Sequence, residues 1–517
     1  MKVVTIEQMR RLESRCEARG ISTDTLMENA GRAVAERIRS LIGDLHGEHI
    51  VALIGPGNNG GDGLVAARHL SDWGAKVHIV VCAPRKEPDT KMTTLVERGL
   101  DIIEPEKSRA ALAKLLPASR LVLDALLGTG RARPLQGAMR DALLRTMQEK
   151  RRRSDLRIVG LEVPSGLDAD TAACDPATPH ADVTIALGYP KVGMLQPPGS
   201  ARVGKLEMAN IGIPDILAKD IPLEMATREW AKKLLPVRPA DANKGTFGRL
   251  LIVAGSVDYI GAAYLACAGA LRTGAGLVTL ATPKSLSQTV AKMLPEATHL
   301  PLEETAYGVM SGDAAAGQIL EALPKYDALL IGCGLSQRLQ VAGAIRKLLS
   351  SLPSSFNRKV VIDADALNIL AQMPGWAKKT PKEAILTPHP GEMSRLTGLS
   401  IKEIQANRID IARRMSAKWG KVVLLKGAYS VTASPGGQVI VNPFANPALA
   451  TAGTGDILAG VTVALLGQGL SPVAAAALGA YLHGAAGELA RSEIGDTGVI
   501  ASDLLLRLPR VVTAIRG

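Results

Sequence analysis

A Gly-Thr-Gly-Asp segment near the end of the chain is a strong candidate for phosphate chemistry. Gly453-Thr454-Gly455-Asp456 directly precedes a long apolar helix pattern over residues 457–466. The first backbone N–H groups of a helix have no partner within the helix, so together with the helix dipole they attract anions. A carboxylate beside a bound phosphate can orient or deprotonate an attacking hydroxyl group. The segment therefore predicts a phosphoryl-transfer site in which Asp456 is the catalytic residue.

A second glycine-rich segment follows the first predicted strand. Gly55-Pro56-Gly57-Asn58-Asn59-Gly60-Gly61-Asp62-Gly63 comes directly after residues 50–54 and before a helix pattern over residues 64–73. Open α/β sheets bind ligands at the carboxyl ends of their strands, and glycines let backbone N–H groups approach phosphate closely. The spacing is not G-x-G-x-x-G with a distant acidic residue, so a simple dehydrogenase fits poorly. We interpret the segment as a ligand-binding turn of another kind.

Polar side chains also stand at two further strand ends in this half of the chain. Asp124 ends one predicted strand, and Glu162 and Ser165 lie at the end of the next. Asn59, Asp124 and Ser165 could converge as oxygen ligands of a hard cation, because each stands at the end of a neighbouring strand. The sequence contains no His/Cys spacing typical of a transition-metal site.

The second half of the chain repeats this arrangement of polar strand ends. Asp363-Ala364-Asp365 ends one predicted strand and Thr387-Pro388-His389-Pro390-Gly391-Glu392 the next. Lys426-Gly427-Ala428-Tyr429-Ser430 follows the strand after that and could cradle nucleotide phosphate or ribose. Small residues at a helix start, Gly261-Ala262-Ala263, permit a ligand to approach closely. A lone loop histidine is usually structural, but the position of His389 in this series favours a functional role.

Two series of alternating strands and helices must hold these segments in place. The first opens with helices over residues 6–18 and 23–42 and continues with strands over residues 50–54, 77–81, 121–124, 158–163 and 183–187. The second has strands over residues 250–255, 277–280, 328–331, 360–362, 384–386 and 422–425, then an antiparallel pair over residues 430–433 and 438–441, and two closing helices. Such alternation indicates parallel sheets covered on both faces. We predict two α/β domains, residues 1–220 and 225–517, separated within residues 213–239, where the periodicity is lost.

Composition excludes several classes of protein. The net charge of +12 suggests nucleic acid as a partner, but only 3% of the 517 residues are aromatic, which leaves little to stack on bases. The one dense basic run, Lys150-Arg151-Arg152-Arg153, is interpreted as a solvated connection. We expect no signal peptide, because the first residues pass directly into a charged helix pattern. The longest apolar stretch (residues 473–482) is too short to span a bilayer, and the five cysteines are scattered. We therefore expect a cytoplasmic protein without a nucleic-acid or membrane partner and without structural zinc.

Three motifs of the first half resemble the NAD(P)HX epimerase domain of bifunctional NAD(P)H-hydrate repair enzymes, which has a Rossmann-like fold. The motifs are G-P-G-N-N-G-G-D-G, D-A-L-L-G-T-G and V-P-S-G-L-D. The resemblance implies potassium at Asn59, Asp124 and Ser165, and leaves open whether Asp124 or Glu162 assists proton movement. The family usually has Asp where this chain has Glu162. The implied ligands of the hydrated dinucleotide are Asn58, Asn59, Gly60, Gly61, Asp62, Gly128, Thr129, Gly130, Arg131, Ala132, Arg133, Pro134 and Glu162.

The motifs T-P-H-P-G-E, L-K-G and A-G-T-G-D of the second half resemble the ADP-dependent NAD(P)HX dehydratase domain of the same enzymes, which has a ribokinase-like fold. The resemblance runs from about Gly248 to the end of the sequence. It implies magnesium bridging the nucleotide oxygens. The implied nucleotide ligands are Lys426, Gly427, Ala428, Tyr429, Ser430 and Gly455, and the implied hydrate ligands are Ala262, Gly334, His389 and Asp456. The family often has Gly-Pro-Gly where this chain has Gly332-Cys333-Gly334.

The resemblance implies metabolite repair: interconversion of the R and S forms of NAD(P)HX, and dehydration of the S form with conversion of ADP to AMP and phosphate. We also expect a homo-oligomer. One alternative is a kinase of a small alcohol whose N-terminal domain is a regulatory binder, since the anion-binding helix start suits both chemistries. Another is a non-catalytic RNA-associated scaffold. The presence of Asp124, Asp456 and both glycine-rich segments argues against the scaffold.

Overall fold

The computed structural model describes residues 1–86, 88–130, 134–357 and 359–517. The chain divides into two compact units. We call them the first unit, Lys2–Ile221, and the second unit, Pro222–Gly517 together with Met1. Each unit has a β-sheet of its own.

The first unit is built on a parallel sheet with strand order β3-β2-β1-β4-β5-β6-β7. Its strands are β1 (His49–Ile54), β2 (Lys76–Val81), β3 (Ile102–Ile103), β4 (Leu121–Ala125), β5 (Arg157–Leu161), β6 (Val183–Leu187) and β7 (Lys205–Ala209). Successive side chains of β1 alternate between two hydrophobic clusters, with Ile50 and Ala52 in one and Val51 and Leu53 in the other. The sheet is therefore covered on both faces, as its continuous apolar strands predict.

Helices cover both faces of this sheet. They are α1 (Ile6–Glu17), α2 (Thr23–Ile42), α3 (Asn58–Asp72), α4 (Thr90–Glu97), α5 (Pro105–Leu115), α6 (Gly137–Arg152) and α7 (Ser200–Val203). Polar side chains cap the first two: Thr5 Oγ1 accepts the Gln8 N–H at 3.2 Å, and Ser22 Oγ accepts the Thr25 N–H at 3.1 Å. Such caps satisfy N–H groups that lack a partner within the helix. Both helices are thus confirmed to within one residue of the predicted bounds.

The second unit contains a larger, mixed sheet with strand order β11-β10-β9-β12-β13-β14-β15-β16-β17-β8. Its strands are β8 (Leu223–Met225), β9 (Arg249–Val253), β10 (Leu277–Pro283), β11 (Thr298–Leu302), β12 (Ala328–Ile331), β13 (Val360–Ile362), β14 (Ile385–Leu386), β15 (Val422–Leu425), β16 (Val431–Ala433) and β17 (Val439–Val441). Strands β9 to β15 pair in parallel, and β16 is antiparallel to both its neighbours, which confirms the predicted pair. The carboxyl ends of the parallel strands therefore share one edge of the sheet.

Helices again pack on both faces. They are α8 (Arg228–Leu234), α9 (Ile260–Arg272), α10 (Lys284–Met293), α11 (Gly312–Ala322), α12 (Leu339–Ser351), α13 (Ala364–Ala371), α14 (Trp376–Lys379), α15 (Pro390–Thr397), α16 (Ile401–Ala406), α17 (Arg408–Trp419), α18 (Thr454–Gly467), α19 (Pro472–Ile494) and α20 (Ala501–Arg516). The buried helix α18 packs closely on α9, where a Cβ at Gly460 would lie 2.1 Å from the Ala266 carbonyl oxygen. This contact requires glycine.

The predicted elements need correction at several places. Helix α3 begins at Asn58, so the segment expected to be a turn up to residue 63 forms the first turns of a helix. A Cβ at Gly63 would lie 2.5 Å from the Ala125 Cβ, so the glycines bring α3 close to the strand ends rather than ending the helix. The short strands β3, β7, β8 and β11 were not predicted, and β8 and α8 lie in the stretch where the periodicity is lost. Helices α18, α19 and α20 follow β17, where two helices were predicted.

The basic run ends a helix rather than forming a connection, but Arg151 and Arg152 are exposed to solvent as expected. Residues 150–152 form the last turn of α6. Lys150 Nζ lies 2.9 Å from Asp182 Oδ1, and Arg153 Nη1 donates to the carbonyls of Leu116 and Ser119 at 3.1 and 3.0 Å. Cations at a helix C-terminus are also favoured by the helix dipole, so Lys150 and Arg153 have structural roles.

Within the described ranges, no helix has both the length and the apolarity needed to cross a membrane.

Candidate active sites

The first candidate site lies where the strand order of the first unit changes direction. Strands β1 and β4 are neighbours, and the connections that follow them lead to opposite sides of the sheet. Ligands bind in the crevice at such a point. A Cβ at Gly55 would lie 1.7 Å from the Leu126 carbonyl oxygen, so only glycine lets the two strand ends approach this closely. The start of α3, with Asn59 and Asp62 among its first residues, faces this point.

Asp124, Ser165 and Asn59 come together at these strand ends. Asp124 is fully buried, and its carboxylate accepts the Ser165 Oγ–H at 2.6 Å and the Ser165 N–H at 2.8 Å. Ser165 Oγ accepts the Leu127 N–H at 2.9 Å. The next residue, Gly128, has no room for a Cβ, which would lie 2.9 Å from Asn59 Oδ1. The predicted set of oxygen ligands is therefore brought together.

Charge at this cluster is not balanced by the protein. Burial raises the pKa of Asp124, although the hydrogen bonds from Ser165 lower it in part. In the part of the chain that the structure describes, no ion pair includes Asp124. A buried carboxylate without a counter-charge is costly, so a bound cation would stabilise this arrangement.

Glu162 is held by a lysine that sequence reasoning missed. Lys191 has an exposed fraction of 0%, and its ammonium group forms an ion pair with Glu162 Oε1. The same group donates to the carbonyls of Leu187 and Tyr189 at 3.0 and 2.7 Å. Glu162 Oε2 accepts the Leu187 N–H at 2.7 Å, so both carboxylate oxygens have partners. Glu162 also has a φ of 69°, which is uncommon for a residue other than glycine.

Asp62 differs from the other two carboxylates of this site. It is almost fully buried, and no hydrogen bond to its carboxylate is found among the described residues. Burial, and then the nearby charges of Glu162 and Glu13, raise the pKa of Asp62 well above its usual range. The carboxyl group of Asp62 therefore holds a proton more readily than an ordinary aspartate does.

Some predicted ligands of the first site remain without structural support. Arg131, Ala132 and Arg133 lie outside the described residues. Thr129 is half-buried, and Gly130, Pro134 and Asn58 are exposed near the same strand ends. Among the described residues, no contact assigns these four a role.

The second candidate site is assembled at the carboxyl ends of the parallel strands of the second unit. Gly332-Cys333-Gly334 follows β12, Asp363 follows β13, residues 387–389 follow β14 and Lys426 follows β15. Gly453, with a φ of 91°, precedes α18, whose first turn contains Gly455 and Asp456. The helix start predicted from the Gly-Thr-Gly-Asp segment is confirmed.

Two hydrogen-bonded side chains fix the loop before α18. Thr454 Oγ1 donates to the carbonyls of Leu449 and Thr451, both at 3.0 Å. Buried His483 has its Nε2 2.9 Å from the Thr454 carbonyl oxygen, and burial lowers its pKa to about 4. The neutral imidazole therefore donates this bond, and the N–H groups at the start of α18 are held in place.

A lysine joins two carboxylates at the same edge. Lys426 Nζ lies 2.7 Å from Asp363 Oδ1 and 3.9 Å from Glu392 Oε2. Asp363 and Glu392 are both buried, and burial raises the pKa of Glu392 to about 7. A Cβ at Gly455 would lie 3.6 Å from Lys426 Nζ, so Lys426 also reaches the start of α18. The predicted nucleotide residues Lys426 and Gly455 are therefore neighbours.

Asp456 has the properties of a group that exchanges a proton near neutral pH. Burial, and then the charge of Asp363, raise the pKa of Asp456 to about 7, partly opposed by a hydrogen bond from Cys333. Burial keeps the Cys333 thiol protonated, because it raises the thiol pKa well above the usual range. A carboxyl group with a pKa near the operating pH is well suited to general base catalysis.

His389 caps a helix and also faces the site. Its Nδ1 accepts the N–H groups of Gly391 and Glu392 at 2.9 and 3.3 Å, and Glu392 Oε2 accepts the His389 N–H at 2.7 Å. Burial and the charge of Lys426 lower the pKa of His389, so the imidazole is neutral. About half of its side chain (51%) is exposed and can meet a ligand.

Small residues border the site on the side of α9. Gly334 has a φ of 61°, and a Cβ there would lie 2.7 Å from the Ala262 Cβ. The start of α9 and the loop after β12 therefore lie in contact, as expected for two predicted hydrate ligands. A larger side chain at either position would enter the site.

Two matches to known families cover most of the chain. Residues 250–510 match the family described as NAD(P)H-hydrate dehydratase, and residues 23–193 match the family described as the YjeF-related protein N-terminus.

The chain is also similar to individual proteins over one or both units. It is 39% identical to the bifunctional NAD(P)H-hydrate repair enzyme of Moorella thermoacetica, over 99% of this chain and 97% of that one. A Streptococcus mutans protein of known structure, SMU.573, has a TM-score of 0.50 and 26% identity, covering 57% of this chain and 100% of its own. The ADP/ATP-dependent NAD(P)H-hydrate dehydratase of Bacillus subtilis, co-crystallised with ATP and Mg²⁺, has a TM-score of 0.47 and 34% identity, covering 56% of this chain and 98% of its own.

Proposed function

This chain belongs to the family of bifunctional NAD(P)H-hydrate repair enzymes, and from that premise we propose that residues 1–220 carry the epimerase activity and residues 225–517 the dehydratase activity. The first part has a Rossmann-like parallel sheet and the second a ribokinase-like fold. The enzyme is both an isomerase and a lyase: it interconverts the R and S forms of NAD(P)HX and dehydrates the S form. ADP is the proposed co-substrate and yields AMP and phosphate.

The position of Asp456 at the start of α18, beside Lys426, carries the dehydratase assignment. Asp456 takes the proton of the hydroxyl group on carbon 6 of the nicotinamide ring as that oxygen attacks the terminal phosphorus of ADP, and the bond from this phosphorus to the oxygen of AMP breaks. The N–H groups of α18 stabilise the charge on the transferred phosphoryl group. The ring nitrogen lone pair then expels phosphate, and loss of the proton on carbon 5 restores the double bond.

Magnesium fits the carboxylates at this edge. Asp363 and Glu392 share the single ammonium group of Lys426, so a further positive charge is accommodated here. Both are oxygen ligands of the kind that Mg²⁺ uses together with nucleotide phosphates. Asp363 and Glu392 would hold the ion, which supplies charge neutralisation at the phosphates.

Epimerisation follows from reversible loss of the hydroxide group, helped by the same ring nitrogen. Asp124 and Glu162 were the carboxylates expected to assist the proton, but both have their oxygens engaged by hydrogen-bond donors. Asp62 is better placed to donate a proton to the departing hydroxide and to take one back when water adds to the other face. The nearby charges of Glu162 and Glu13 favour a proton on Asp62.

Potassium fits the buried cluster of Asn59, Asp124 and Ser165. The three side chains offer oxygen ligands, and among the described residues the carboxylate of Asp124 forms no ion pair. Hard cations prefer such ligands. The three side chains would hold the ion, which supplies positive charge and orients the neighbouring loops.

The function is tested by following both products of dehydration. Pure protein is incubated with hydrated NADH and ADP, and the recovery of reduced-nicotinamide absorbance is measured together with phosphate and AMP. We expect one phosphate and one reduced dinucleotide for each ADP converted. A stable phosphorylated alcohol without free phosphate would reject repair in favour of a small-alcohol kinase.

Ala262→Leu is expected to weaken binding of the hydrate far more than binding of ADP. The added carbons enter the space beside Gly334, and such a clash costs about 1–3 kcal/mol, or about 10- to 200-fold in the Michaelis constant for the hydrate. Steady-state kinetics with each substrate varied in turn measures the difference. Gly317→Ala, on α11, is the control, because a Cβ at Gly317 meets no atom within 4 Å. Equal losses for hydrate and ADP would contradict the assignment of Ala262.

Lys191→Met is expected to destabilise the first unit by about 3–5 kcal/mol, because it leaves the buried Glu162 carboxylate without its partner. Urea unfolding of the full-length protein, followed by circular dichroism, measures this loss, and the urea midpoint of the dehydratase reaction of the same sample is the internal control. Adding Glu162→Gln removes the unpaired charge, so the double variant should regain much of the stability. A double variant no more stable than Lys191→Met would show that the ion pair is not the cause.

Two further points concern the cellular location and the oligomeric state of the enzyme. We propose a cytoplasmic location, supported by five cysteines that all lie in the described part of the chain and form no disulfide. The homo-oligomer expected from the sequence stays a prediction, which sedimentation of the purified protein would test.

A further inference from the structure

Arg408, the first residue of α17, is buried beneath the loop that follows β15. Only 1% of its surface is exposed. Its Nη2 donates to the carbonyls of Leu425 and Lys426 at 3.0 and 3.1 Å, and its Nη1 donates to Gln405 Oε1 at 2.7 Å. The guanidinium group therefore fixes the backbone at the point where the strand ends and the loop begins.

The loop is shaped around this guanidinium group. Gly427 has a φ of 136°, and a Cβ there would lie 3.1 Å from both Nη1 and Nη2 of Arg408. The loop then turns back, with Ser430 Oγ donating to the Gly427 carbonyl at 2.9 Å and Tyr429 at a φ of 51°. A residue with a side chain at position 427 could not lie flat against Arg408, so the glycine and the arginine depend on each other.

The charge of Arg408 has no protein counter-ion. Its partners are two carbonyls and one amide oxygen, its Nε is buried without a partner, and no carboxylate forms an ion pair with it anywhere in the described residues. Desolvation lowers its pKa to about 10, so it remains charged at neutral pH. A buried charge without a counter-ion is costly, and its positive potential acts on any anion bound on the other side of the loop that it holds.

We propose that Arg408 is a positioning residue of the nucleotide site: it holds the backbone of Lys426 and Gly427, and its unbalanced positive charge lies behind the loop that receives the phosphates of ADP. This inference rests on the proposed function, because it takes residues 426–430 as the nucleotide loop. Arg408 itself touches no substrate. Arg408 fixes the loop and supplies a positive charge behind it. Both effects strengthen binding of the anionic nucleotide, and neither acts directly on the chemical step.

Arg408→Gln tests the proposal in the full-length enzyme. Glutamine keeps one hydrogen-bond donor but removes the charge, so the dissociation constant of ADP, measured by calorimetry, should rise by about 10- to 100-fold. The turnover number at saturating ADP should change much less, and the epimerase rate should not change. Arg408→Lys, which keeps the charge but loses the forked pair of donors, should give an intermediate affinity. Arg413→Met is the matched control, because Arg413 lies on the same helix with 54% of its side chain exposed.

A role in folding alone predicts a different pattern. It would lower the thermal midpoint and leave the affinity of the folded molecules for ADP unchanged. An ADP dissociation constant within about twofold of the wild type in folded Arg408→Gln would therefore overturn the proposal. If that variant does not fold, the same criterion applies to Arg408→Lys. A wild-type enzyme that binds no ADP would reject the nucleotide assignment itself rather than the part played by Arg408.

Discussion

Asp456→Asn is expected to lower the rate of nucleotide-dependent dehydration by about 10³-fold and to leave epimerisation unchanged, because a positioned general base contributes about 10²- to 10⁴-fold. Asparagine has nearly the same shape and can still accept the hydrogen bond from Cys333, so the loss reports the proton transfer and not the fold. The pH dependence provides a second measurement. The pKa of Asp456 is raised to about 7, so the wild-type rate should increase with pH through this range as the base loses its proton. The variant should lose that part of the dependence.

Asp456→Asn should lower dehydratase activity but should not lower the thermal stability of the protein at pH 8. An aspartate in an unfolded chain has a pKa of about 3.9, well below that of folded Asp456, so above about pH 4 the folded state resists the ionisation that the unfolded state accepts. The free energy of unfolding therefore falls as the pH rises from about 4 to 7, because ionisation of Asp456 is less favourable in the folded state. Asparagine does not ionise, so the variant does not lose this stability. The thermal midpoint of Asp456→Asn at pH 8 should be equal to or above that of the wild type. Asp410→Asn, on the exposed face of α17, is the surface control. Loss of both activities in a folded Asp456→Asn variant would contradict independent sites.

Much of the fold could be predicted because its signals are local. The strands β1, β12, β13 and β15 are continuous apolar runs bounded by glycine or polar residues, and such runs mark strands buried on both faces. The start of α18 was predictable because Gly453 and Gly455 stand directly before an apolar helix pattern. The predicted start of helix α3 lies too far along the chain, because glycines inside a helix give the local signal of a turn. They are tolerated there by the packing of α3 against β4, which a single sequence does not reveal.

The charge pairs of the sites could not be predicted, because they depend on contacts between distant segments. Lys191 lies 29 residues after Glu162 in sequence, in an apolar stretch with no acidic neighbour, and nothing in its surroundings indicates a buried ion pair. Arg408 begins an amphipathic helix, where an arginine is normally solvated. Asp62 was assigned to ligand binding from its motif, but its protonation depends on burial and on Glu162. The burial, charge pairing and protonation of these residues arise only when the folded sheet brings its strand ends together.

Asp124→Ala is expected to slow epimerisation by about 10²-fold and to abolish the response of that reaction to added potassium, if the ion is bound by Asn59, Asp124 and Ser165. Asp124 supplies the only carboxylate among these three ligands. Without it, two neutral oxygens must replace the water ligands that the ion loses on binding. The reaction is measured while potassium replaces lithium at constant ionic strength, so that general screening does not change. The dehydratase activity of the same samples shows that the second unit is intact.

Potassium should also stabilise the wild-type protein, because a ligand that binds only the folded state raises the unfolding free energy by an amount that grows with its concentration. The thermal midpoint of the first unit should therefore increase with potassium in the wild type and stay constant in Asp124→Ala. This measurement does not depend on catalysis, so it separates loss of the ion from loss of a proton-transfer group. If Asp124 acts only in proton transfer, Asp124→Ala would be slow but still stabilised by potassium. That result, or an unchanged potassium response of the epimerase rate, would place the ion elsewhere.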